Sequence, residues 1–275
     1  MPGFNDLTPP TDADLLALDV ATLFVLNSSG RILHDNAPDR SPGPRFYVGG
    51  CASANLVRIR HDVGADTAQA LERLAAAEPP CRHPDSRPIH LDDYVRLLAA
   101  EAPVENARSG LTWTFASAPP AASAPSFLGM PSLARAPRSG GEANAMVCMV
   151  ASGTPEGDRL LARLADEGMP NSLVALGFTS LNDFWPPWCA ALQHDEIASI
   201  AFAARLSPDA AETGVVTVPA FRGQGLAAAA TAAWAAHPAL HGRALFYSTS
   251  TTNVSSQRVA ARLNLRFLGA SLSIA

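Results

Sequence analysis

Long apolar runs, paired cysteines and an excess of basic charge are all missing from this 275-residue chain. Nothing approaches the roughly 20 consecutive apolar residues of a membrane-spanning helix. The opening Met1-Pro-Gly-Phe-Asn-Asp6 has no basic region followed by an apolar core. The expectation is a cytoplasmic protein that does not engage a membrane. The 20 Lys and Arg against 25 Asp and Glu leave a formal charge of −5, with no run of like charge. That balance argues against a nucleic-acid partner, which needs a basic surface. Cys51, Cys81, Cys148 and Cys189 are scattered, with no Cys-x-x-Cys pair. Neither a zinc site nor a compact disulfide framework is therefore encoded locally, and reduced, mostly buried thiols are expected. Cys81-Arg-His83 and His90 stand among Pro80, Pro84 and Pro88, which reads as a loop rather than a set of metal ligands.

At 48% hydrophobic, the chain is able to bury a full core as one large domain or two modest ones. Residues 116–142 are nearly all Ala, Ser, Pro and Gly, a composition that builds no core, and they read as a linker or surface loop. This sets a boundary between a domain over 1–115 and another over 143–275. Before it, the pattern predicts a helix over 11–20 capped by Thr11 and a hairpin around Asn27-Ser-Ser-Gly30. Strands at 45–49 and 55–61 and helices over 67–78 and 90–102 follow. This first part is mixed α/β and carries no chemical motif. After the boundary come an apolar run over 145–151 and a helix from Thr154 and Pro155 to about residue 167. Phe184-Trp-Pro-Pro-Trp188 is rich in aromatics, and Trp185 and Trp188 are open to two readings, an acceptor pocket or core and lid. Two antiparallel strands, 189–193 and 196–206, turn at His194-Asp195.

The most informative stretch is Glu212-Thr-Gly-Val-Val-Thr-Val-Pro-Ala-Phe-Arg-Gly-Gln-Gly-Leu-Ala227. Five of the six residues from Thr213 to Val218 are β-branched, so it begins as a buried strand. Pro219 and Gly223 mark a turn, and the Ala-rich run over 226–237 reads as a helix that stops at Pro238. A strand entering a helix through glycines leaves several backbone N–H groups pointing one way with the positive end of the helix dipole, which suits a phosphate or pyrophosphate. Two nucleotide-binding alternatives fail on residues. The dinucleotide fingerprint needs three glycines and a later carboxylate, but there is no Asp or Glu after Glu212. The P-loop needs Gly-Lys-Ser/Thr, and no Lys follows the turn.

With Arg222, Gly225 and Ala227, the turn resembles the Arg/Gln-x-x-Gly-x-Gly/Ala acetyl-CoA signature of the GNAT N-acetyltransferase superfamily. A strand over Ala244–Ser250, a helix opened by Asn253-Val-Ser-Ser256 and the ending Asn-Leu-Arg-Phe-Leu-Gly269 follow in the family's order, so the resemblance covers about residues 189–275. It implies a mixed, mainly antiparallel central sheet flanked by helices, with the N-terminal α/β part as an addition. The implied activity is acetyl transfer from acetyl-CoA to an amine acceptor, by direct attack in a ternary complex. The implied cofactor contacts are the backbone of Val216, Thr217 and Val218 on the pantetheine arm, the turn of Arg222, Gly223, Gln224, Gly225, Leu226 and Ala227 on the pyrophosphate, and Asn253 and Ser256. Asn253 also reads simply as a helix N-cap. Glu212, six residues before Val218, falls on the family's general-base position; it equally reads as a strand-end carboxylate facing solvent or pairing with Arg205. One departure stands out: the family's acid, a tyrosine seven residues after the asparagine, is Ala260 here. A non-catalytic acyl-CoA sensor or interaction module is therefore the alternative. The acceptor is a small molecule or a peptide, and a homodimer stays open.

Overall fold

Thr11 caps the first helix with its own side chain. Its hydroxyl accepts the Asp14 N–H at 3.2 Å while the Asp14 carboxylate accepts the Thr11 N–H at 2.9 Å, a reciprocal capping box. The computed structural model describes residues 9–115 and 147–275, so the 116–142 boundary lies outside the described residues. The described chain groups into two compact units. The first takes in 9–114, Ser248–Val254 and Arg266–Ala275, and the second the remaining described residues, including Ser255–Leu265.

In the first unit, α1 (Asp12–Leu23) buries Leu15, Leu16 and Val20. β1 (Phe24–Leu26) and β2 (Ile32–Asp35) form the expected antiparallel hairpin, with the Asn27 side chain accepting the Ser29 and Arg31 N–H groups. β3 (Phe46–Cys51) and β4 (Asn55–Ile59) pair antiparallel. α2 (Ala65–Ala76) and α3 (Leu91–Ala99) place Leu71, Ala75, Tyr94 and Leu98 against Phe46, Val48 and Ile59. Glu78, buried just past α2, accepts the Ile89 N–H at 2.8 Å, the His90 N–H at 3.0 Å and the Tyr94 hydroxyl at 2.9 Å. A buried carboxylate is tolerated only when its oxygens are satisfied in this way. Burial, together with the Glu78 carboxylate, pushes the Tyr94 phenol far above its ordinary pKa. β5 (Ala107–Thr114) closes the run.

The second unit starts with β6 (Val147–Ala151), α4 (Pro155–Glu167) and the single-turn α5 (Asn171–Val174). β7 (Trp188–Gln193), β8 (Glu196–Leu206) and β9 (Ala210–Thr217) follow as an antiparallel meander. α6 (Leu226–Ala235), β10 (Ala244–Ser250) as far as Tyr247 and α7 (Val254–Arg262) from Ser255 complete it. The strand order is β10-β9-β8-β7-β6, with β10 parallel to β9 and the rest antiparallel. One face of this sheet carries Leu160 and Leu164 of α4, Leu173, Phe178, Phe184, Trp188 and Ile200. The other receives α6, whose small residues let Ala230, Ala233 and Trp234 settle on Ala201, Ala203 and Ala211. The Trp234 indole N–H donates to the Pro187 carbonyl at 2.9 Å, which removes the cost of burying it.

β11 (Arg266–Ile274) returns to the first unit and lies between β3 and β5, antiparallel to both. The last ten residues thus group with the N-terminal elements. Both units are mixed α/β, each a mainly antiparallel sheet flanked by helices. No helix among the described residues is long and apolar enough to cross a membrane, and none of their His, Cys, Asp and Glu side chains form a group of three placed to hold a metal.

Candidate functional site

β9 is longer than its β-branched core. The Ser207 hydroxyl accepts the Ala210 N–H at 3.0 Å, starting the strand at Ala210 and extending it through two alanines of low strand propensity. Glu212 consequently lies inside the strand rather than at its head. It is half-buried, directly across from Arg205 on β8 and beside Phe246 on β10. Gly214 follows on the same face, and its missing side chain is required: a Cβ there would lie 2.6 Å from Cζ of Phe202.

Among the described residues, the strand beyond Thr213 has a neighbour on one side only. The parallel ladder with β10 pairs Ala210–Thr213 with Ala244–Tyr247, whereas the ladder with β8 continues to Thr217. In an antiparallel ladder, alternate residues turn both backbone groups toward the same neighbour. The Val218 N–H donates to the Ala198 carbonyl at 3.0 Å, which sets the phase. Val216 and Gly214 are thereby turned to β8, and Val215 and Thr217 to the open side. The Val216 carbonyl also accepts the Ser199 hydroxyl at 2.8 Å, and the Val218 carbonyl accepts the Phe221 N–H at 2.9 Å. Of the three backbone positions expected to meet a pantetheine arm, Thr217 is the one presented. Val215 joins it, a position that composition could not single out because the phase depends on pairing.

The chain then makes a 3-10 turn over Pro219–Phe221 and passes through two left-handed residues, Gly223 at φ 80° and Gly225 at φ 84°. Gly225 is the N-cap of α6, and the Ala229 N–H donating to the Gly225 carbonyl is the first bond of the helix. The amides ahead of it, from Leu226 through Ala228, have no helical acceptor by construction. Arg222 is exposed and its Nε donates to the Thr217 carbonyl at 3.3 Å, which folds the side chain back along the turn. Gln224 is exposed, while Leu226 is buried and anchors the helix start.

A second guanidinium reaches this turn, one that local sequence did not indicate. A Cβ built on Gly225 would lie 2.5 Å from Nη1 and 2.8 Å from Cζ of Arg262. Arg262 ends α7, 37 positions further along the chain. The turn thus combines a helix N-terminus and two arginines, which attract an anion, with two glycines whose missing side chains let the backbone approach one.

The Ser256 hydroxyl lies 2.6 Å from the hydroxyl of Tyr247, whose phenol is buried and pushed upward in pKa by that burial. Ala260 is fully buried, so its position holds no acid, and its carbonyl accepts the Leu265 N–H. Asn253 groups with the first unit, is exposed, and donates its N–H to the Ser250 carbonyl immediately before α7. Trp188 is 1% exposed and packs edge-on against Phe184, so it belongs to the core. Trp185 is half-buried against Phe202.

No family model and no curated protein matches the chain. Among the solved structures similar to it are GNAT-family acetyltransferases. A GNAT-family protein from Novosphingobium aromaticivorans is 20% identical, with 62% of this chain and 65% of that chain covered and a TM-score of 0.38. This chain therefore spans a little under two thirds of that protein. A GNAT-family acetyltransferase from Colwellia psychrerythraea is 13% identical over 90% of this chain and 78% of its own, with a TM-score of 0.40. A GCN5-related N-acetyltransferase from Kribbella flavida is 16% identical over 84% and 89%, with a TM-score of 0.39. Likeness at this level assigns no residue role.

Proposed function

We propose that this chain moves an acetyl group from acetyl-CoA to a primary amine of a small molecule or peptide. The observation that carries this reading is a strand open on one edge past Thr213, leading through left-handed Gly223 and Gly225 into the N-terminus of α6. The residues suit the co-substrate: the turn amides with Arg222 and Arg262 hold the pyrophosphate, and the open edge at Val215 and Thr217 pairs with the pantetheine amides. Attack of the neutral amine nitrogen on the thioester carbonyl forms the C–N bond and breaks the C–S bond. The thiolate leaves, and the proton lost by nitrogen goes to a base, for which Glu212 is the candidate. No side chain is assigned to reprotonate the sulfur.

Isothermal titration with acetyl-CoA, followed by a thiol-release assay against a panel of amines, tests the proposal. Micromolar binding with amine-dependent thiol release supports it; no binding to any CoA thioester overturns it. All 20 of the Lys-plus-Arg side chains are arginine, so the chain offers no ε-amino group of its own, and mass analysis of acetylated products is free of self-modification at lysine. Ala260 favours a second reading, a non-catalytic acyl-CoA-binding module. Binding without release from any amine would move weight to it.

A further inference from the structure

The first unit contains a cavity of about 340 Å³ on the face of its sheet that carries α2 and α3. Its floor follows from register. Phe46, Val48 and Gly50 of β3 lie opposite Ile274, Leu272 and Ala270 of β11, and alternate residues of a strand share a face. Along this face the large side chains of the core give way at Gly50 and Ala270 to the two smallest residue types; the Asn55 side chain and Cys81 close over Gly50, where a Cβ would lie 2.6 Å from Asn55 Oδ1 and 3.1 Å from Cys81 Cβ, and the hollow opens over Ala270. Its volume falls in the range of small-molecule sites, about 300–1,000 Å³.

The wall is the segment between α2 and α3, and it is held in place. The three bonds to the Glu78 carboxylate close its two ends, and the Asn55 side-chain amide donates to the Glu78 carbonyl at 2.9 Å. Cys81 faces inward, 7% exposed, while Arg82 and His83 are exposed; all three line the cavity. Arg87 is committed to its own loop, donating to the Pro84 and Ser86 carbonyls. Among the described residues, nothing accepts from the Arg82 guanidinium or pairs with the His83 ring. The one carboxylate in the lining, Glu78, already accepts from three donors, and Asp85 of the same loop is not part of the lining. An apolar hollow with an uncommitted guanidinium at its mouth matches a ligand with an apolar body and one anionic end.

We propose that this cavity binds a small organic carboxylate, its anionic end on Arg82 and its apolar body over Ala270 beside Cys81. The proposal stands on residues of the first unit alone and does not use the acyltransferase reading. Titration of the full chain with benzoate, hexanoate, benzyl alcohol and inorganic phosphate tests it. One of the two carboxylates binds with a Kd of about 1 mM or tighter, at least about tenfold better than benzyl alcohol or phosphate, and slows alkylation of Cys81. Arg82→Ala, an exposed change that spares the fold, removes the preference for acid over alcohol. Ala270→Leu fills the floor and removes binding of both. The proposal fails if neither carboxylate binds at about 10 mM, if phosphate binds as well as they do, or if Arg82→Ala leaves the preference intact.

Discussion

Glu212 and Arg262 differ in how they come to the proposed site. Glu212 is part of the strand that leads to the turn, half-buried between Arg205 and Phe246. Replacing it by Gln keeps the shape and removes the base. Under the acyltransferase reading, Glu212→Gln lowers kcat about 100-fold while the acetyl-CoA Kd measured by titration stays within about twofold. Arg262 reaches Gly225 from another helix. Arg222→Ala and Arg262→Ala are each expected to raise the acetyl-CoA Kd about tenfold by removing a charge-assisted donor, with a smaller loss at high salt where exposed charges are screened.

At the scale of elements, the glycines of β9 and of the turn do different work, and a pair of variants separates them. Gly214 makes room for the Phe202 ring inside the unit, so Gly214→Ala costs about 1–3 kcal/mol of stability, read as a lower denaturation midpoint. Gly225 serves a left-handed N-cap beside Arg262. Gly225→Val strains that turn and displaces the Arg262 guanidinium, so under the acyltransferase reading acetyl-CoA binding is lost out of proportion to any fall in midpoint. In the first unit, Glu78 joins the end of α2 to the start of α3. Glu78→Ala leaves two backbone N–H groups and the buried Tyr94 hydroxyl without their acceptor, a loss of about 3 kcal/mol that urea unfolding would register.

For the whole molecule, acid is the informative stress. Several carboxyls are held below their ordinary range: Asp14 by the Thr11 side chain, Asp62 by Arg60, Glu101 by the Thr67 side chain and Asp183 by the Ser180 backbone. A folded pKa below the unfolded one contributes stability that is present above the unfolded value, about 4, and is lost as pH falls through the folded value. The thermal midpoint is therefore expected to hold down to about pH 4 and to drop below it; a midpoint unchanged at about pH 2.5 would contradict this.

Much of this architecture is legible in the amino-acid sequence. Local patterns specify the Thr11 and Thr154 caps, the Asn27 hairpin, the β7–β8 turn and the strand, glycine turn and helix around Gly225, because caps, turns and periodicity act within a few residues. The first half of β5, Ala107-Arg-Ser-Gly110, carries no such signature, having no β-branched residue; it is a strand through its pairing with β11. Contacts between distant segments decided the rest. Pairing alone turns Thr217 and Val215 to the open edge and brings Gly50 opposite Ala270. Packing alone carries Arg262 to Gly225 and groups β11 with the N-terminal elements. The sequence by itself determined most of the local elements and where the strand, glycine turn and helix of the proposed anion site lie. Only the tertiary structure decided which backbone groups stay open and which distant side chains meet them, because register and packing join residues that local physics cannot connect.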